Sequence, residues 1–130
     1  MRAAKSFKEV LDLRGRIVLF TPTAAIGLRL EQEAERNHAK VIHTRGWADP
    51  IGPLHAWSRI CACGEYGVLS CDQQRYIVGF RLECTDLVWV GETGDPVNQG
   101  WLWARFSQAM GRGIQKDVPP RLWMMAEGVT

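Results

Sequence analysis

Several short apolar runs in this chain lack the alternation of a half-exposed strand. Arg16-Ile-Val-Leu-Phe-Thr21 holds four large apolar residues in succession, and Leu87-Val-Trp-Val90 does the same. Val68-Leu-Ser-Cys71 repeats the pattern with one small hydroxyl residue inside it. Successive side chains of a strand face opposite sides of the sheet, so an unbroken apolar run must be covered on both. Runs of four to six residues bounded by turn residues are also too short for buried helices. The chain must therefore build strands that are sandwiched between other elements.

The intervening segments have the period of helices. Residues 2–13 place Ala3, Phe7, Val10 and Leu11 along one stripe, and residues 24–38 place Ile26, Leu28, Leu30 and Ala34 among Arg, Glu and Gln. Residues 54–63 repeat the spacing through Leu54, Trp57, Ile60 and Cys61, and residues 101–110 form a further helix candidate. Residues 40–44 and 121–125 read as additional short strands, and residues 46–53 and 91–100 are Gly- and Pro-bearing loops. Recurrent strand–helix–strand order implies an α/β fold, a mainly parallel sheet with helices on both faces. Its 130 residues suit one domain or half of a two-domain machine. Residues 1–130 are read as a single domain, with an N-terminal helix over residues 1–14 and a short tail over residues 119–130.

With 46% hydrophobic and 23% charged residues, the chain has the balance of a folded domain and not of a disordered one. No apolar run approaches the ~20 residues of a bilayer span, and the N-terminus lacks the apolar core of a signal peptide, so a cytoplasmic location is expected and no membrane partner. The net charge of +2 is no nucleic-acid signature by itself, but 12 of the 16 basic residues are arginine, the side chain suited to phosphate and carboxylate. Cys61, Cys63, Cys71 and Cys84 lack the paired spacing of a zinc module, so no metal site is expected; Cys71 and Cys84 read as small buried hydrophobes. His38, His43 and His55 lack metal-ligand spacing, and His43 reads as structural.

Four pieces in order carry a family resemblance. Val18-Leu-Phe-Thr-Pro-Thr23 resembles motif IV of the second RecA-like domain of superfamily-two helicases and translocases, closest to the Swi/Snf-like branch. Val68-Leu-Ser-Cys71 followed by Gly79-Phe-Arg-Leu82 resembles motif V, and Thr85-Asp-Leu-Val-Trp-Val90 the strand after it. Gln108-Ala-Met-Gly-Arg112 resembles motif VI, although its usual second arginine is Gln115 here. The resemblance implies a single RecA-like domain in which Gln108, Gly111 and Arg112 face a nucleotide bound on another lobe. Arg112 would then act catalytically in trans, stabilising charge on a transferring phosphoryl group. Thr21, Thr23, Gly79 and Arg81 would contact a DNA or RNA backbone through hydroxyls, close-approaching backbone and charge.

The phosphate-binding G-x-x-x-x-G-K-[ST] loop is absent, so the chain is not expected to hydrolyse ATP alone; it has no cofactor of its own, and ATP with Mg would be shared with a partner lobe. Six tryptophans are the remaining peculiarity. Trp57 and Trp89 sit in apolar segments and read as core, whereas Trp47, Trp101 and Trp103 lie in or beside the loops and read as partner-binding. Two functions follow. The first is a stand-alone helicase C-terminal-like module, a nucleic-acid-associated accessory subunit to a separate ATPase chain. The second is a non-enzymatic interaction protein, a decoy or inhibitor of a host helicase or nuclease; the compact form suits a phage-encoded product.

Overall fold

The computed structural model describes residues 2–46, 51–64, 66–72, 84–91, 120–126 and 128. Among the described residues nine elements follow in order: β1 (Arg2–Ala3), α1 (Phe7–Leu11), β2 (Arg16–Thr21), α2 (Ala24–Arg36), β3 (Lys40–His43), α3 (Ile51–Ala62), β4 (Gly67–Asp72), β5 (Asp86–Val90) and β6 (Arg121–Met125). The six strands form one sheet in the order β1-β6-β5-β2-β4-β3, and every neighbouring pair is parallel. The architecture is α/β and consistent with a single RecA-like domain.

The apolar runs occupy the places their composition demands. β2 lies between β4 and β5, and its four apolar residues split between the two faces. Ile17 and Leu19 join Val68, Val88, Val90, Trp123 and Met125 on one face, covered by Phe7, Val10 and Leu11 of α1 and Leu30 and Ala34 of α2. Val18 and Phe20 join Leu69, Cys71, Leu87 and Trp89 on the other, covered by Leu54 and Trp57 of α3. Each large side chain so buried contributes about 1.5–3 kcal/mol against exposure, which is why the two-sided runs dictate a three-layer arrangement. Trp57 and Trp89 are both core residues, and the Trp57 indole donates to the Gly67 carbonyl at 3.2 Å.

The N-terminal end departs from the sequence reading. The helix expected over residues 2–13 is confined to Phe7–Leu11, because Ser6 caps it: its hydroxyl accepts from Glu9 N–H while the Glu9 carboxylate accepts from Lys5 N–H at 2.9 Å. This is nearly the reciprocal capping box of a helix N-terminus. Upstream of it, Arg2–Ala3 adds a parallel edge strand to β6, extended by Ala4 N–H donating to the Met124 carbonyl. At the other end, the strand expected over residues 121–125 forms as β6 within the stretch read as a short tail, a full member of the ladder with Trp123 and Met125 buried. Within α2 the inward face is Gly27, Leu30, Glu31 and Ala34, while Leu28 is left exposed. A polar residue thus replaces an expected apolar one on the buried stripe.

Candidate functional site

Strands of a parallel sheet all end at one edge, and ligands of open α/β folds bind outside those carboxyl ends. Here β2 ends at Thr21, β4 at Asp72 and β5 at Val90, on three adjacent strands. The chain leaves β2 toward α2 and β3 on one side, and β5 toward β6 on the other. That divergence makes the ends of β2 and β5 a topological switch point.

Thr21 and Thr23 build the first turn at this edge. Thr23 has extended backbone (φ −140°, ψ 156°) and is the N-cap of α2, its hydroxyl accepting from Ile26 N–H at 3.2 Å. Its carbonyl accepts from Gly27 N–H and from the Thr21 hydroxyl at 3.3 Å. Thr21 is fully buried. Both hydroxyls are therefore engaged within the turn. What the turn presents outward is the start of α2, whose first backbone N–H groups precede the capped ones.

A polar cluster braces this turn from beneath. Glu31 is buried on the inner face of α2, where its carboxylate accepts from both Arg45 terminal nitrogens, one at 2.8 Å, and from the Ser70 hydroxyl of β4 at 2.7 Å. A single fork of Arg45 thus joins the segment after β3 to α2, and Ser70 joins both to the sheet. Gly27 makes room for it: a Cβ there would stand 3.1 Å from the Thr21 hydroxyl oxygen and 3.2 Å from an Arg45 nitrogen. The pair's value lies in being complete, since removing one member of a buried pair costs about 3–5 kcal/mol by stranding the other.

A second cluster lies at the opposite, amino edge. Asp86 is fully buried at the start of β5 and accepts from Arg121 Nε at 2.8 Å and Nη2 at 3.0 Å, from Trp123 Nε1 at 2.9 Å and from the Thr85 hydroxyl at 2.7 Å. The hydrogen bond to Asp86 holds the Arg121 guanidinium still more firmly charged than an ordinary arginine. Gly15 closes over it, where a Cβ would lie 2.0 Å from the Thr85 hydroxyl oxygen. Every carboxylate oxygen is satisfied by protein donors, which makes this a structural knot that clamps β5, β6 and the entry to β2.

Of the residues anticipated from sequence, Thr21 and Thr23 are brought together at the carboxyl edge. Trp47, Gly79, Arg81, Trp101, Trp103, Gln108, Gly111 and Arg112 lie outside the described residues. Cys71 and Cys84 are buried as expected, and burial pushes the Cys84 thiol up to about 12. Cys61 is half-buried, Cys63 exposed, and His43 stands exposed on β3. Among the described residues no three His, Cys, Asp or Glu side chains gather as a metal site would need, and no helix is long and apolar enough to cross a membrane. Sequence reasoning missed Glu31, Arg45 and Ser70. Its available signal was Glu31 itself, an acid at the 27-30-31-34 spacing of a buried helical face. The chain matches no protein-family model and no curated protein.

Proposed function

We propose that this chain is a RecA-like accessory lobe that works at its carboxyl sheet edge with nucleic acid and with a separate ATPase chain. One observation carries the reading: β2, β4 and β5, the strands that the three helicase-like segments belong to or follow in the chain, are adjacent, parallel and end at one edge. Thr21-Pro22-Thr23 follows β2, the stretch with Gly79 and Arg81 follows β4, and the stretch with Gln108, Gly111 and Arg112 follows β5. Strands that end side by side and precede all three segments support the segments' acting on one ligand. In this reading the backbone of the β2–α2 turn, with Gly79 and Arg81, holds the phosphate backbone, and Arg112 reaches a nucleotide on the partner lobe. ATP and Mg come from that partner, and Trp47, Trp101 and Trp103 serve the contact with it.

The experiment has two parts. Fluorescence anisotropy with labelled single-stranded DNA and RNA should give binding that weakens steeply between about 50 and about 200 mM salt, as release of phosphate counterions requires. Mixing the chain with an ATPase that supplies the first lobe should raise ATP turnover, and Arg112→Ala should remove the gain. Equal stimulation by Arg112→Ala overturns the nucleotide-facing role.

A second reading is favoured by the Thr21 hydroxyl, which is fully buried and donates to the Thr23 carbonyl, so that one expected donor is withdrawn from phosphate. In it the chain keeps the fold and binds a helicase or nuclease without chemistry, as a decoy or inhibitor. A stoichiometric complex with such an enzyme, with inhibition and no salt-dependent nucleic-acid binding, would select this reading.

A further inference from the structure

The amino edge of the sheet carries a pocket of about 250 Å³ lined by Arg14, His38, Lys40, Gly64 and Tyr66. Among the described residues its lining has two permanent cations, one histidine and no acid. The nearby Asp12 is already paired with Lys8 at 2.9 Å. Tyr66 is buried and forms the wall, and the Arg14 guanidinium lies 4.3 Å from its ring centroid, held by the π-face in one place.

The backbone there is more telling than the charge. Arg14 (φ 54°) and His38 (φ 68°) are the two non-glycine residues with left-handed backbone among the described residues, and Gly64 (φ 85°) is the pocket's third. They follow the ends of α1, α2 and α3 respectively, where glycine is the usual residue because any side chain there is strained. At α3 the chain uses glycine; at α1 and α2 it tolerates the strain and places a basic side chain in the same pocket. Those side chains are not required as caps. The last helical carbonyls already accept backbone N–H groups: Leu11 from Arg14, Glu35 from His38, Ala34 from Ala39, Cys61 from Gly64. Strain kept where a simpler residue would serve points to a task outside the fold.

We infer that this pocket binds a phosphate group, as inorganic phosphate or a small phosphate monoester, with Arg14, His38 and Lys40 as its donors. Its volume falls below the ~300–1,000 Å³ of sites for drug-sized ligands, so the anion itself and not a large appendage fills it. It lies at the edge opposite the switch point and is independent of the function proposed above.

The test is titration of the ¹⁵N-labelled full chain with sodium phosphate and with glycerol phosphate, at ionic strength held constant with sodium chloride. Saturable shifts at the Arg14, His38, Lys40 and Gly64 amides are expected, with a dissociation constant on the order of 1 mM. Arg14→Gly and His38→Gly suit the left-handed backbone, so they should keep the wild-type circular dichroism while weakening phosphate about tenfold each, the loss of one charge-assisted hydrogen bond. Absence of saturation, or wild-type phosphate binding by both glycine variants, overturns the assignment. So does a single-stranded oligonucleotide that shifts the same amides at far lower concentration, because the pocket would then serve a nucleic-acid backbone.

Discussion

Cys84 shows how burial governs the chemistry of a single residue. It lies just before the Asp86 knot, and desolvation is the largest cause of its thiol's rise from the ordinary 9.0 to about 12. The folded state therefore keeps this proton at pH values where the unfolded chain releases it. Between pH 9 and 12 the folded form binds more protons than the unfolded form, so stability is intact below pH 9 and falls as pH rises through that window. The slope from this one group approaches about 1.4 kcal/mol per pH unit. Urea midpoints compared between wild type and Cys84→Ala should converge as pH is raised from 8.5 to about 10.5; parallel curves would show that Cys84 ionises freely in the fold. The same burial makes the exposed Cys63 the first thiol to alkylate at pH 8.

At the scale of an element, α2 links the sheet to both of its edges. Its N-cap Thr23 turns the chain out of β2, its buried face carries Glu31, and its end places His38 in the basic pocket. Thr23→Ala should cost about 1 kcal/mol in a denaturant melt, the usual loss when a capping oxygen is removed. Thr23→Asp keeps an acceptor for Ile26 N–H and should melt close to wild type, yet its charge would repel a phosphate backbone. If Thr23→Asp also leaves oligonucleotide affinity unchanged, the turn takes no part in nucleic-acid binding. The element boundaries were legible where local chemistry is decisive. Thr23 and Gly15 bracket β2, whereas the apolar spacing carried the expected first helix back to residue 2, past the Ser6 cap at which α1 starts. β1 was not legible, because two residues carry no periodicity and Arg2–Ala3 becomes a strand only by pairing with β6.

At the scale of the molecule, the sheet is closed late in the chain. β6 pairs β1 with β5, supplies Trp123 and Met125 to one core, and brings the Arg121 and Trp123 donors to Asp86. Truncation before Arg121 would leave a fully buried carboxylate without three of its donors and open one face of the core. Loss of a buried charge's partners costs about 3–5 kcal/mol before the lost burial is added, a large part of the ~5–15 kcal/mol that holds a domain together. The truncated chain should lose its near-UV circular dichroism and cooperative urea transition; a sharp transition at the wild-type midpoint would show that β6 is dispensable. Thr21 and Thr23 show what the sequence made legible at the site: a hydroxyl-bearing turn after a buried strand. The Thr23 cap is local, reaching Ile26 N–H three residues on, whereas the full burial of Thr21 was not legible, since it depends on where α2 comes to rest.

The layered α/β class follows from the order of residues alone, because an apolar run such as Ile-Val-Leu-Phe can only be satisfied with cover on both faces. The lengths of those runs also set most strands to within a residue or two. Tertiary structure alone decided the strand order, the membership of β1 and the partners of Glu31 and Asp86. It also brought Arg14, His38, Lys40 and Tyr66, from three separate segments, into one pocket. Periodicity is a property of neighbours along the chain, whereas these contacts join distant residues: Glu31 and Ser70 are 39 positions apart, and Arg2 pairs with Trp123. Which of the many possible pairings forms is settled by the packing of the whole sheet.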